Sequence, residues 1–104
     1  MRVLYLEPAK NDFERFRVFM RANDVSEERI SHILNGVIDS IGALKDAPKI
    51  GFSIGARYGY TTPYRGYITD PYIVVYEIVG ETIEVRRIYH QKEDYIRDIL
   101  VIEP

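Results

Sequence analysis

The sequence predicts an α+β fold in which a helix pair covers one face of a largely antiparallel sheet, and three observations carry that reading. Apolar residues recur at helical spacing through the first part of the chain, before Pro48. Two runs dense in β-branched and aromatic residues, Tyr72 to Val79 and Thr82 to Tyr89, flank Gly80-Glu81 as the arms of a hairpin. The helical segments are grouped ahead of the strands, the arrangement of an α+β domain.

Element by element, Val3 to Leu6 is a short β-type run that Glu7-Pro8 ends, since proline disfavours helix before itself and suits the first turn of a helix after. From Ala9 to Arg21, Ala9, Phe13, Phe16 and Met20 recur at spacings of three and four, with Lys10, Asp12, Glu14, Arg15 and Arg17 assigned to the opposite, polar side. Asn23-Asp24 breaks this helix. Asp24 or Ser26 caps a second one, whose first turn holds Glu27 and Glu28 where negative charge suits the helix dipole. Its stripe is Ile30, Ile33, Leu34, Val37, Ile38, Ile41 and Leu44, and Asp46-Ala47-Pro48 stops it. Lys49 to Thr69, punctuated by glycines and Pro63, reads as loop and irregular strand, with one bent strand near Tyr64 to Thr69. After the hairpin, Ile96, Ile99 and Leu100 give Lys92 to Leu100 the apolar face of a short helix that ends before Val101 to Pro104. The expected order is β-α-α-β-β-β-α.

Composition bounds the function. A chain of 104 residues, 46% hydrophobic and 12% aromatic, has the apolar surface to close a core and fits one domain spanning residues 1–104. No cysteine means no thiol nucleophile, no disulfide and no Cys-ligated zinc, which suits a reducing cytoplasm. The run from Met1 to Leu6 is too short for a signal-peptide core, and no stretch reads as a membrane span. The expected setting is the cytoplasm, without a membrane partner.

The net charge of −2 conceals a segregation. No acid lies between Asp46 and Asp70 or between Glu84 and Glu93, and these windows hold Lys49, Arg57, Arg65, Arg86, Arg87 and Lys92, a local +6. The rest of the chain has the other 8 bases and all 16 acids, or −8. A basic surface interleaved with Tyr58, Tyr60, Tyr64, Tyr67 and Tyr89 has the composition that phosphate contact and base stacking require. The bland alternative is that the tyrosines pack rings on a core. Arg86-Arg87 stands mid-strand, where an ion pair to an acid such as Glu77 competes with a contact role.

Candidate chemistry is sparse. His90, within Tyr89-His90-Gln91-Lys92 at a strand end, can serve as acid or base near neutral pH, whereas His32 on the flank of the second helix reads as surface. Two distant histidines give no metal-ligand spacing, and no phosphate-binding glycine loop or Gly-x-Ser-x-Gly elbow exists, so no metal or cofactor is expected. What remains is acid–base and electrostatic work by Arg, Lys, His and Tyr, a set that cleaves RNA by activating a 2′-hydroxyl and stabilising a charged phosphorane.

The segments that carry a family resemblance are Glu7-Pro8-Ala9 with Asp12-Phe13, Ile41-x-x-Leu44 before Pro48 and Gly51, Tyr64-Arg65 through Tyr72 to Ile78, and Ile83 to Asp94. In order and spacing they resemble the RelE/ParE superfamily of type II toxin–antitoxin toxins. The resemblance implies a small toxin neutralised by an antitoxin that lays an extended or helical segment across its sheet and helices. RelE-like members cut mRNA on the ribosome, and the nearest equivalents of their residues here are Arg65, Arg87, Lys92 and Tyr95. ParE-like members poison DNA gyrase, and the ending Ile88-Tyr89-His90-Gln91-Lys92-Glu93-Asp94 resembles theirs. The expectation is therefore a ParE-like gyrase inhibitor that acts by binding, with Lys49, Arg57, Arg65, Arg86, Arg87 and Lys92 as target contacts. The alternative is a metal-independent mRNA endonuclease using Arg65, Arg87, His90, Lys92 and Tyr95; a third reading is a non-toxic binding module on the same fold. Either toxin reading calls for an exposed apolar groove for the antitoxin, with Phe19, Val25, Phe52 and Ile54 as candidates.

Overall fold

In the computed structural model of the chain, which describes residues 1–102, the elements are β1 (Arg2–Tyr5), α1 (Glu7–Ala22), α2 (Glu27–Gly42) with a 3₁₀ turn (Ala43–Lys45), β2 (Phe52–Ser53), α3 (Ile54–Tyr58), β3 (Arg65–Thr69), β4 (Tyr72–Val79), β5 (Thr82–His90) and α4 (Tyr95–Ile102). Pro8 sits in the first turn of α1, where its missing N–H costs nothing. Between the helices Asp24 takes a left-handed backbone (φ 60°), and Ser26 rather than Asp24 caps α2, its hydroxyl accepting from the Arg29 N–H at 3.2 Å. The hairpin turns at Gly80, whose φ of 59° glycine adopts without strain.

The sheet has five strands in the order β1-β5-β4-β3-β2. All pairs are antiparallel except β1 with β5, which run parallel with Val3 opposite Ile83. The α1–α2 hairpin carries the chain from β1 to β2 at the opposite edge of the sheet, and the antiparallel steps back through β3 and β4 end with β5 beside β1. Along β4 and β5 the register shifts between Val75 and Tyr76, so that Arg86 is an extra residue in β5, opposite neither. This bulge resets the alternation, which lets Val85 and Ile88 both face the helices.

Two cores flank the sheet. On one face Ala9, Phe16 and Met20 of α1 and Ile30, Leu34, Val37 and Ile41 of α2 pack against Val74, Tyr76, Ile83, Val85 and Ile88. On the other, Ile54 and Ile99 from α3 and α4 cover Ile73, Val75 and Tyr89, with Tyr64 beside them. The sequence reading anticipated only the first. Five consecutive buried residues, Tyr72 to Tyr76, open β4, the run expected of a strand covered on both faces.

The segment expected as loop and irregular strand therefore contributes a helix and part of a core. Its glycines allow close packing there: a Cβ on Gly66 would stand 2.5 Å from the Phe52 ring, and one on Gly51 would stand 2.6 Å from the Gly66 carbonyl oxygen. The helix expected from Lys92 starts instead at Tyr95 and continues to Ile102, because the preceding residues are used by a turn in which the Glu93 N–H donates to the His90 carbonyl at 2.9 Å. Glu103 and Pro104 lie outside the described residues. Among the described residues no helix is long and apolar enough to cross a membrane.

Candidate functional site

The strongest polar feature joins α1 to the last strand. Where β1 has ended, the edge of β5 beyond Val85 lacks a neighbouring strand, and the Asp12 carboxylate takes the place of one by accepting from the Ile88 N–H at 2.8 Å. The same carboxylate holds Arg87 in a two-pronged pair, Nε at 2.8 Å and Nη2 at 2.9 Å, and Arg87 Nη1 reaches Asp98 of α4 at 3.0 Å. Asp12 is only 3% exposed. The hydrogen bond and charge of Asp12 raise the Arg87 guanidinium above its usual range, so it stays charged at any accessible pH. Assigning Asp12 to the polar side of its helix is thus corrected. It lies three residues after Ala9 and four before Phe16, inside the apolar stripe, and that spacing is the signal the sequence offered.

Arg86 is paired as well. Its Nη2 donates to Glu77 at 2.8 Å and Glu84 at 3.2 Å, which separates two carboxylates that face each other across β4 and β5. Acids outside these windows thus neutralise two of the six cations within them. Arg65 Nη2 donates to the carbonyls of Lys49 at 3.1 Å and Gly51 at 2.6 Å, tying down the loop after α2 together with the Tyr76 hydroxyl, which donates to the Pro48 carbonyl at 2.6 Å. The Arg57 guanidinium lies over the Phe52 ring, 3.6 Å from its centroid. Lys49, Arg57 and Lys92 are exposed.

The five residues of the nuclease alternative do not converge. Arg65 stands opposite Tyr76 and His90 opposite Tyr72, four residues or roughly 13 Å apart along β4. Arg87 is held at the sheet edge by Asp12, while Tyr95 is on the far face, its hydroxyl 2.8 Å from that of Tyr58. Burial and that hydrogen bond push the Tyr95 hydroxyl far above the usual range, which disfavours proton donation near neutrality. Only His90 and Lys92 stand together. The His90 Nδ1 accepts from the Lys92 N–H at 3.2 Å, leaving Nε2 to carry the proton of the neutral ring, and the ring meets Tyr72 edge-on.

His90 and Lys92 border a groove of about 660 Å³ between the second half of α1 and the β3–β4 and β5–α4 turns. Phe16, Phe19, Met20, Pro71 and Tyr72 provide its apolar walls. Arg15 and Glu93 form its polar rim, joined at 3.3 Å. Phe19 is 67% exposed, and Val18 beside it 57%. Of the other three antitoxin candidates, Val25 packs against the helix-side core, Phe52 packs against the far-side core, and Ile54 is fully buried, with no surface to offer a partner. The sequence reading did not single out Arg15, Pro71 and Tyr72 for this groove, because only the tertiary fold brings the Asp70-Pro71 turn beside α1. The tyrosines divide similarly: Tyr64 and Tyr89 are core residues, and Tyr58 is 44% exposed.

A helix hairpin on one face of a mixed sheet, a bulged last strand and a short closing helix make up the architecture that the comparisons with known proteins can be set against. The ParE toxin model, described as "ParE toxin of type II toxin-antitoxin system, parDE", matches residues 3–95. The chain belongs to the ParE toxin family. It is also similar in structure to a chain of the "Chromosomal ParDE TA system from P. aeruginosa", with a TM-score of 0.72 at 13% identity over 86% of this chain and 95% of that one. At that identity the likeness concerns the fold. No curated protein sequence matches it.

Proposed function

We propose that this chain, acting in the cytoplasm as one toxin domain over residues 1–104, inhibits DNA gyrase by binding and is silenced by a cognate antitoxin. The observation that carries the binding mode is the scatter of the nuclease residues, with Arg87 held by a buried carboxylate that would have to be broken before the guanidinium could meet a phosphate. Family membership supplies the toxin class and the antitoxin. Lys49, Arg57 and Lys92, exposed and outside the ion pairs described above, are the cations free to meet the target. The groove beneath Phe19 is the apolar surface that the antitoxin buries, since an aromatic ring 67% exposed on a helix is what a partner helix or strand covers.

The test uses purified chain free of antitoxin. With gyrase and supercoiled plasmid, inhibition of supercoiling or trapped DNA cleavage is expected, and induction in cells should stop DNA synthesis before translation. Unimpaired gyrase together with mRNA cuts on translating ribosomes overturns the proposal.

A further inference from the structure

The groove beneath Phe19 separates its chemistry along α1. Arg15 and Phe19 stand four residues apart, roughly 6 Å along the helix, so charge gathers at one end and apolar side chains lead away from it. Phe19, Met20 and Pro71 belong to the apolar part, and the Phe16 and Tyr72 rings pack together in the same lining, their centroids 4.7 Å apart. Glu93 is the one carboxylate of the lining, and it is already engaged. Its Oε1 accepts from Arg15 Nη1 at 3.3 Å and from the His90 N–H at 3.0 Å. Two donors beside it have no acid of their own. The Lys92 ammonium is exposed and joins no ion pair among the described residues. His90 accepts the Lys92 N–H on Nδ1, which puts the proton of its neutral ring on Nε2. Asp70, in the adjoining turn, is outside the lining and is held by Gln91 Nε2 at 2.8 Å.

With Arg15 and Lys92 set against Glu93, the lining carries a net charge of +1. One monoanion balances that charge; a cation would add to it, and a phosphate dianion would overshoot it. The volume of about 660 Å³ falls within the roughly 300–1,000 Å³ of small-molecule sites. An apolar tail on the anion would take part of Phe19, 67% exposed, out of water. We propose that this groove binds a small organic monocarboxylate with an apolar tail, its carboxylate between Lys92 and the His90 Nε2–H and its tail against Phe19 and Met20. Binding of this kind is a property of the free chain. It stands whichever enzyme the toxin strikes and whether or not the antitoxin covers the same groove.

The experiment titrates the purified full chain, free of antitoxin, with octanoate, octylammonium and acetate at fixed pH and ionic strength, following backbone amide shifts by NMR. Octanoate should give saturable shifts at Phe19 and Met20 and at Lys92, whose N–H reports on the His90 ring because it donates to it. Acetate lacks the tail and octylammonium reverses the charge, so each should bind at least about tenfold more weakly. Lys92→Gln should weaken octanoate by about threefold without weakening octylammonium. Phe19→Ala, on an exposed position that the fold does not need, should weaken octanoate by about fivefold, with a thermal melt confirming that the variant is folded. Absence of saturable binding by octanoate, octylammonium binding as tightly as octanoate, or saturable shifts that leave Phe19, Met20 and Lys92 unmoved overturns the proposal.

Discussion

Asp12→Ala should cost this fold a large share of its stability. The carboxylate is 3% exposed and accepts three short bonds, two from Arg87 and one from the Ile88 N–H. Removing one member of a buried ion pair costs about 3–5 kcal/mol, because the other charge is left without its partner in a poor solvent. Here Arg87 keeps Asp98, itself 51% exposed, which moves the pair's share towards the lower end. The Ile88 N–H, stranded on a sheet edge, adds about 1 kcal/mol or more. A total of about 4 kcal/mol compares with the roughly 5–15 kcal/mol that holds a small domain folded. In a thermal melt followed by circular dichroism it should lower Tm by on the order of 20 °C. Arg87→Ala should be similarly damaging, and the double variant should lose less than the two single losses combined, by about 1–3 kcal/mol. A loss below about 1 kcal/mol for Asp12→Ala, or strict additivity, refutes the reading of Arg87 as a structural cation. Because Arg87 is held in this buried pair, loss of toxicity in Arg87→Ala counts as a functional effect only when the variant is shown to be folded.

Burial raises the Tyr89 hydroxyl above its ordinary 10.0, so the folded chain keeps a proton that the unfolded chain releases. That contribution is present below 10.0 and fades as pH rises beyond it, at up to about 1.4 kcal/mol per pH unit. Melts on the alkaline side should therefore fall less steeply for Tyr89→Phe, and an equally steep fall removes the assignment. Phe19→Asp, on an exposed helix position, should change Tm by no more than a degree or two while weakening antitoxin binding by more than about tenfold in calorimetry; unchanged affinity moves the antitoxin off this groove. Gly51→Ala should cost about 1–3 kcal/mol in urea melts, because its Cβ would stand 2.6 Å from the Gly66 oxygen and 2.7 Å from the Tyr76 hydroxyl; a neutral result shows that the loop after α2 yields.

Local periodicity made the helix pair and the hairpin legible. The stripes of α1 and α2 and the runs of β4 and β5 each lie within a short stretch of sequence, where the side that faces inward repeats every 3.6 or 2 residues. The turn chemistry at Pro8, Ser26 and Gly80 is equally local. Arg86 with Glu77 was also foreseeable, since a strand pair joined by a tight turn brings the two within diagonal reach even though Glu77 stands directly opposite Glu84. Even the family could be recognised, because its marks are an order of such local segments.

What the sequence could not decide is everything that depends on residues distant along the chain meeting in space. Asp12 and Arg87 are 75 positions apart, and nothing local reveals that a helical acid will stand in for a missing strand at the edge of β5. The bulge at Arg86, the second core under α3 and α4, and the groove between α1 and the β3–β4 turn have the same origin. Charge shows the difference most plainly. The sequence alone determined that six cations lie in windows free of acid, while the tertiary structure decided which of them remain available. Coulomb attraction acts through space, and the fold sets Asp12, Glu77, Glu84 and Asp98 against Arg86 and Arg87, leaving Lys49, Arg57 and Lys92 exposed.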